Sequence, residues 1–130
     1  MACLVLVVGC LLLLSACPPK PVTPPPGWPS EVFTQTGTAF SVRGLRMPGT
    51  IQDWRLKQGG SIIWLPFDQV GGVRFTGPAQ GGYRPAQVYL SGGDQIRGEL
   101  FVDFLIEGIT DLGYWNMPMS QVERLSIGTE

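Results

Sequence analysis

The frequent glycines, which divide the chain into short segments, are the feature that most constrains what this chain can fold into. Single and paired glycines recur from Gly44 to Gly113, and short runs with alternating polarity or β-branched and aromatic residues lie between them. The pattern predicts strands at 39–42, 51–56, 62–67, 73–76, 87–90, 95–102, 105–110, 114–119 and 123–127. No run in this region carries an apolar stripe at helical spacing. The pattern therefore predicts an all-β fold, a small barrel or sandwich.

An internal repeat refines that prediction. Residues 64–75 align with residues 116–127 at a constant offset of 52, so that Pro66 matches Pro118. In each copy we expect a strand that ends near the proline, which removes a ladder donor, then a short turn that returns Val70 or Val122 to the core. The repeat predicts one compact β domain over residues 34–128, built from two related units at about 36–77 and 88–128. The predicted core residues are Leu65, Phe67, Val70, Val73, Phe75, Leu100, Val102, Met117, Val122, Leu125 and Ile127.

The second unit carries a structural resemblance. The segment VYLSGGDQIRGELFVDFLIEGITDLGYWNMPMSQVERLSI resembles small SH3-like or Sm-like barrels in its strand rhythm. It is also similar to poorly characterised β domains of bacterial envelope proteins, which have Gly-x-x-x-Gly hairpins and a Gly-x-Trp-x-x-Pro segment. The resemblance covers about forty residues and includes no catalytic signature. It therefore implies an architecture and no activity.

The N-terminus predicts a lipid anchor. The apolar run at 3–14 would reach only roughly 18–24 Å as a helix, which is shorter than the roughly 30 Å hydrocarbon core, so it fits a secretory signal better than a membrane span. It ends in Leu14-Ser15-Ala16-Cys17, which resembles the lipobox of bacterial prolipoproteins. That resemblance implies cleavage of residues 1–16 and diacylglycerol on Cys17, whereas the weaker box ending at Cys10 would leave too short an apolar run. An ordinary signal peptide and a buried hydrophobic helix are the alternatives, and no Lys or Arg precedes the apolar run.

The anchor hypothesis places the protein in the bacterial cell envelope. Residues 17–33 hold the lipidated Cys17 and a proline-rich segment, which we expect to form an extended polyproline stalk. The alternative is a ligand for an SH3 or WW groove. Because Pro18 follows the lipidated cysteine, the resemblance to Gram-negative lipoproteins implies the outer membrane and leaves its face open. No cysteine remains in the mature domain to form a disulfide.

The composition argues against several function classes. The chain has no histidine, a net charge of −1 and no basic run, so we expect neither nucleic-acid binding nor a histidine-based active site. No serine lies in a nucleophile motif, and we predict no enzymatic activity and no cofactor. The carboxylates Glu99, Asp103, Glu107 and Asp111 recur every fourth residue, roughly 13 Å apart along an extended strand, which is too far to share a metal ion. We interpret them as a solvated face with a turn near Asp103.

The aromatic residues suggest a binding surface. Trp64 alternates with the predicted core positions Ile63 and Leu65, so it should point away from the core, and with Trp54 and Tyr114 it would form a platform for a sugar or peptide. In the alternative, which we favour because Ile62 on the same face is apolar, Trp64 fills the seam between the two repeats.

Taken with the anchor, these features predict a structural, assembly or protein-interaction lipoprotein. Its expected partners are the membrane, through the lipid, and an envelope protein. A glycan- or peptidoglycan-binding lipoprotein is the alternative.

Overall fold

The computed structural model describes residues 28–128, and these form ten strands and two single-turn 3₁₀ helices. Each of the nine predicted strands is present, and the predicted all-β fold is confirmed. In chain order the elements are β1 (Ser30–Thr34), β2 (Ala39–Arg46), β3 (Asp53–Gln58), β4 (Ser61–Pro66), η1 (Phe67–Gln69), β5 (Val70–Phe75), β6 (Tyr83–Leu90), β7 (Gln95–Phe101), β8 (Leu105–Thr110), β9 (Gly113–Pro118), η2 (Met119–Gln121) and β10 (Val122–Ser126).

The first strand lies inside the segment predicted as a stalk. In β1, Ser30, Val32 and Thr34 are buried and alternate with partly buried residues. The strand is short and directly follows the proline-rich run, so the proline signal obscured its period-2 pattern. The β structure therefore begins at Ser30 rather than at residue 34, and the predicted signal peptide and the stalk up to residue 27 lie outside the described residues.

The offset of 52 recurs in the bounds of the elements. It separates β3 from β8, β4 from β9, η1 from η2, and the first residues of β5 and β10. As predicted, β4 and β9 end at Pro66 and Pro118, and the single 3₁₀ turn that follows returns Val70 and Val122 to the core. The repeat in the amino-acid sequence is therefore also a repeat of secondary structure.

The two halves exchange strands. The sheet order is β9-β8-β2-β1-β10-β5-β6-β7-β3-β4, with antiparallel pairing throughout. The hairpin β1–β2 of the first half lies between β10 and β8 of the second half, and the hairpin β6–β7 of the second half lies between β5 and β3 of the first. Each run of five strands on either side of the β10–β5 pair is thus assembled from both halves. Neither sequence repeat forms its own five-stranded unit.

The centre of this arrangement is the pairing of β5 with β10. Val73 lies directly opposite Leu125, and these two residues are repeat equivalents, so the pseudo-twofold relation passes through their pair. Both side chains are buried. The seam between the halves is therefore closed by aliphatic side chains.

One hydrophobic core extends across both halves. Of the predicted core residues, Val70, Val73, Phe75, Leu100, Val102, Val122 and Leu125 are buried, and Leu65, Phe67, Met117 and Ile127 pack against the core while partly exposed. The core also contains buried residues that were not predicted: Val32, Val42, Leu45, Met47, Trp54, Leu56, Ala86, Val88, Ile106 and Met119.

Candidate functional site

The three aromatic residues predicted as a platform lie in three different places. Trp54 is fully buried, with its ring stacked on Phe67 at 5.3 Å, so it belongs to the core and not to a surface. Trp64 lies on β4 and Tyr114 on β9, which are the two ends of the sheet order. The structure therefore does not bring the predicted platform together. The alternation of Trp54 and Leu56 with the polar Asp53 and Arg55 was the signal that Trp54 faces inward.

The favoured interpretation of Trp64 as seam packing is wrong. Trp64 is 54% exposed, and Ile62 on the same face of β4 is also exposed. The repeat seam is closed by Val73 and Leu125 instead, and the Trp64 ring contacts Arg55 of the neighbouring strand β3, whose guanidinium carbon lies 5.1 Å from the ring centroid. Ile63 and Leu65 point to the opposite face and pack against the core, as predicted.

Trp64 begins a row of side chains that crosses four adjacent strands on one face. The register places Arg55 of β3 opposite Trp64, and Phe101 of β7 opposite Tyr83 of β6. The guanidinium carbon of Arg55 lies 5.1 Å from the centroid of the Trp64 ring and 4.2 Å from that of Phe101. The Phe101 and Tyr83 rings meet edge to face at 5.4 Å. The row thus holds a cation between two aromatic rings, an arrangement that is favourable by cation–π attraction.

This row forms the floor of a cleft, which we call the Trp64 cleft, with a volume of about 310 Å³. It is lined by Met47, Pro48, Ile51, Asp53, Arg55, Trp64, Phe101 and Phe104. The volume is at the lower end of the roughly 300–1,000 Å³ found for ligand pockets. Its walls come from the connections β2–β3 and β7–β8, which both cross from one five-stranded run to the other. The cleft is therefore lined by residues from both halves of the chain.

The wall formed by residues 47–52 is held in place by hydrogen bonds. The Gln52 side chain accepts from Met47 N at 3.0 Å and donates to Met47 O at 2.6 Å and to Gly49 O at 3.0 Å. Arg46 donates to Met47 O at 3.1 Å and to Gly49 O at 2.7 Å. These bonds fix the loop that presents the exposed Ile51 to the cleft. A wall that is ordered before binding reduces the entropy that a ligand must overcome.

The cleft contains two charged side chains that have no partner of opposite charge among the described residues. Arg55 and Asp53 lie two residues apart on the same face of β3, and within residues 28–128 neither takes part in an ion pair. The Nε atom of Arg55 is buried and lacks a hydrogen-bond acceptor among the described residues. A buried N–H to which nothing is bonded is unfavourable. The cleft therefore combines exposed aromatic surface with a guanidinium that makes no hydrogen bond within residues 28–128.

In the second half of the chain, the position equivalent to the Trp64 cleft contains charged groups that pair with one another. Glu107 and Asn116 are the repeat equivalents of Arg55 and Trp64, 52 residues later in the chain. Where the strands pair, Glu107 lies opposite Asn116 on one side and opposite Arg46 on the other. Glu107 forms an ion pair with Arg46 at 3.6 Å and accepts from the Tyr114 hydroxyl at 2.8 Å. Asn116 in turn donates to the Tyr114 hydroxyl at 3.2 Å. The same place in the fold is thus a closed polar network in one half and an open aromatic cleft in the other.

Arg84 is the most buried charged side chain of the described region and has a structural role. It donates to Gly77 O at 3.0 Å, Val122 O at 2.7 Å and Ser120 O at 3.3 Å, so it connects β6 to the η2–β10 segment. Burial lowers the pKa of Arg84, and the charge of nearby Glu123 acts in the opposite direction. Because Nε and Nη1 of Arg84 donate to three carbonyls of the chain, we assign Arg84 to holding the strands together.

A second, larger depression of about 580 Å³ lies over the β5–β10 seam. The glycines at 71 and 72 leave its floor as bare backbone, and Arg74 lies directly opposite Arg124. The Arg124 guanidinium lies over the Phe33 ring at 4.0 Å, and none of the large hydrophobic side chains that line this depression is exposed, whereas Ile51 and Trp64 of the Trp64 cleft are. The Trp64 cleft is therefore the better candidate for ligand contact.

The carboxylates considered at the sequence level lie apart. Asp103 is in the connection between β7 and β8, as the predicted turn requires, and Asp111 is in the turn before β9. Within residues 28–128, no three acidic or cysteine side chains form a group that would hold a metal ion.

Sequence reasoning missed Arg55, although a signal for it was present. The turn Gly59-Gly60 has φ angles of 56° and 83°, as a two-residue hairpin turn of the primed type requires. Counting back from such a turn places Arg55 opposite Trp64. No comparable local signal exists for Phe101, because β7 reaches β3 only through the strand exchange.

The predicted lipidation site, Cys17, lies outside the described residues. Within residues 28–128 there is no helix with the length and apolar character needed to cross a bilayer. No protein-family model matches this chain, and no curated protein is significantly similar to it.

Proposed function

We propose that this chain is a lipoprotein of the bacterial cell envelope whose β domain binds a partner protein at the Trp64 cleft. Leu14-Ser15-Ala16-Cys17 supports anchoring by lipid on Cys17, with the outer membrane as the expected location. The observation that carries the interaction role is the exposed Trp64 beside an unpaired strand edge. The domain acts as a tethered adaptor and not as an enzyme.

The edge of β4 supports a protein partner in particular. Among residues 28–128, β4 pairs only with β3, so its outer edge can accept a strand from another chain. Ile62 and Trp64 are exposed beside that edge, and Arg55 adjoins them. Tryptophan and arginine are the residues most enriched at the energetic centres of protein interfaces. A partner strand on β4 would place its side chains next to this cluster.

The test is site-specific photo-crosslinking in intact cells. A photoreactive residue at Ile62 should trap one defined protein, whereas the same residue at Leu112, fully exposed at the other end of the sheet, should not. Trp64→Ala should abolish the Ile62 product, and the matched control Tyr114→Ala, at an exposed aromatic residue on β9, should leave it unchanged. Equal products from Ile62 and Leu112 would contradict the proposal.

Glycan binding is the second candidate, because it requires an exposed Trp64 and Trp64 is exposed. A sugar ring would lie against the free face of the indole, and the cleft of about 310 Å³ falls within the range of small-ligand pockets. Sedimentation of the protein with purified sacculi separates the two candidates. Loss of co-sedimentation in Trp64→Ala, with the fold intact, would favour the glycan over the protein partner.

A further inference from the structure

The Arg55 guanidinium is placed as a binding group without its ligand. It lies between the Trp64 and Phe101 rings, its Nε is buried without an acceptor, and its side chain has no hydrogen bond or ion pair with any residue in 28–128. Arginine is always charged at physiological pH and presents five donors in a planar fork. The rings contact the faces of a guanidinium, whereas its donors point along its plane. Aromatic packing therefore leaves the Nη donors of Arg55 unused, and these, unlike the buried Nε, are not enclosed.

We propose that the Trp64 cleft recognises a carboxylate that lies next to an apolar side chain in an extended segment of the partner protein. Arg55 binds the carboxylate, and Trp64 together with the exposed Ile51 covers the apolar neighbour. This inference rests on the proposed function and specifies the chemistry of the partner. Carboxylate fits because an arginine fork binds it through two parallel hydrogen bonds.

The other half of the molecule supports a carboxylate. At the equivalent row position Glu107 supplies a carboxylate to Arg46, with Tyr114 adding a hydrogen bond. There the chain provides both partners of the ion pair. In the Trp64 cleft Arg55 holds that row position with the opposite charge and without a counter-ion in residues 28–128, so a carboxylate from another molecule would complete an ion pair there.

Asp53 adds a condition on the ligand. It is the one acidic side chain that lines the cleft within the described residues, two positions from Arg55 on the same face of β3. A carboxylate bound to Arg55 is therefore weakly repelled by Asp53, and a ligand with several negative charges is repelled more strongly. This favours a single carboxylate over a phosphate dianion. Removing the Asp53 charge should strengthen carboxylate binding, whereas removing the Arg55 charge should weaken it.

The inference is tested with small probes on the full-length chain in detergent micelles. The chain is labelled with 5-fluorotryptophan, and its ¹⁹F resonances are assigned by single Trp→Phe variants. The probes are 3-phenylpropionate and its neutral analogue 3-phenylpropanol, and the Trp64 resonance is followed to saturation. We expect 3-phenylpropionate to bind about tenfold or more tightly than the alcohol, because hydrogen bonds to charged groups are the stronger ones. Equal affinities would overturn the inference without any variant being needed.

Three variants then assign the effect to Arg55. Arg55→Gln should reduce the affinity for 3-phenylpropionate to that for the alcohol, and Asp53→Asn should raise it by about two- to fivefold. Arg97→Gln is the matched control, because Arg97 is an exposed arginine on β7 outside the cleft. If Arg97→Gln lowers the affinity as much as Arg55→Gln does, the effect is one of net charge and the inference fails.

The crosslink at Ile62 distinguishes this inference from the proposed function. If Trp64→Ala abolishes the crosslinked product and Arg55→Gln leaves it unchanged, the protein partner stands and carboxylate recognition is wrong. If no product forms at Ile62 at all, the proposed function fails whatever the probes show. If both substitutions abolish the product, both proposals are supported.

Discussion

The substitution Gly108→Ala tests the strand exchange directly. Gly108 lies on β8 where it packs against β2, a contact between the two halves. A Cβ at this position would lie 2.3 Å from Cγ1 of Val42 and 3.0 Å from the carbonyl oxygen of Arg43. Carbon atoms in contact are about 3.5–4.0 Å apart, so Val42 or the strand must move by more than about 1 Å. Val42 is fully buried and β-branched, so it has little rotamer freedom with which to move.

We estimate the cost of this overpacking at about 2–4 kcal/mol of unfolding free energy, because one Cβ contact is with a buried side chain and another is with backbone. For a domain of about 100 residues this lowers the Tm by about 10–30 °C. The assay is thermal unfolding of the full-length chain, followed by circular dichroism. The matched control is Gly92→Ala in the β6–β7 turn, where an added Cβ meets no atom within 4 Å, and we expect a change within about 0.5 kcal/mol.

A second substitution makes the test specific for the β2–β8 contact. Val42→Ala removes Cγ1, the atom that the new methyl group would meet. Val42→Ala alone should destabilise the protein by creating a cavity. The double variant Val42→Ala/Gly108→Ala should be more stable, by at least about 1 kcal/mol of unfolding free energy, than the sum of the two single effects predicts. Additive effects of the two substitutions, or a Tm for Gly108→Ala within about 2 °C of that for Gly92→Ala, would show that β8 does not pack on β2 and would refute the strand exchange.

Three further predictions follow from burial, hydrogen bonding and the anchor. In chemical denaturation, Trp54→Ala should lower the unfolding free energy by about 3–5 kcal/mol, because its ring is fully buried. Trp64→Ala should change the unfolding free energy by less than about 1 kcal/mol, because its ring is 54% exposed. Similar costs for the two substitutions would contradict the placement of the two rings. Arg84→Met, which keeps an unbranched apolar stem but removes the donors to three carbonyls, should cost about 2–3 kcal/mol in the same assay, and an unchanged midpoint would argue against the bonds from β6 to the η2–β10 segment. Cys17→Ser should shift the protein from the detergent phase to the aqueous phase or leave it unprocessed, and unchanged membrane attachment would contradict lipidation.

Much of the local structure was predictable because strands and turns are encoded by neighbouring residues. Alternation predicted nine of the ten strands. The two prolines at the strand ends, together with the offset of 52, predicted the short turns that return Val70 and Val122 to the core, and the structure shows that these turns are 3₁₀ helices. Parity along β4 predicted that Trp64 faces away from Leu65, because side chains alternate across a strand. The same alternation along β3 indicates that Trp54 faces the core. Its aromatic character suggested a binding surface instead, and that suggestion was wrong.

The candidate site was less predictable, because its members come from strands that are distant in the sequence. Trp64 and Arg55 are joined by a tight hairpin turn and are therefore locally determined. Phe101 reaches Arg55 only because β7 pairs with β3 across the repeat. Whether Trp64 lies in a seam or in solvent depends on which strands of the two halves meet at the seam, and periodicity carries no information on that pairing.

The sequence by itself determined the strands, the hairpin turns, the repeat and the outward direction of Trp64, because each depends on backbone preferences and alternation within a few residues. Only the tertiary structure decided which half supplies each hairpin. Two related sets of strands present similar edges to one another, so local pattern does not distinguish pairing within a repeat from exchange between repeats. That choice depends on close contacts between distant strands, such as the approach of β2 to Gly108 and of β3 to Gly98, where a side chain larger than hydrogen would clash. The same contacts bring the two crossing connections together and create the Trp64 cleft.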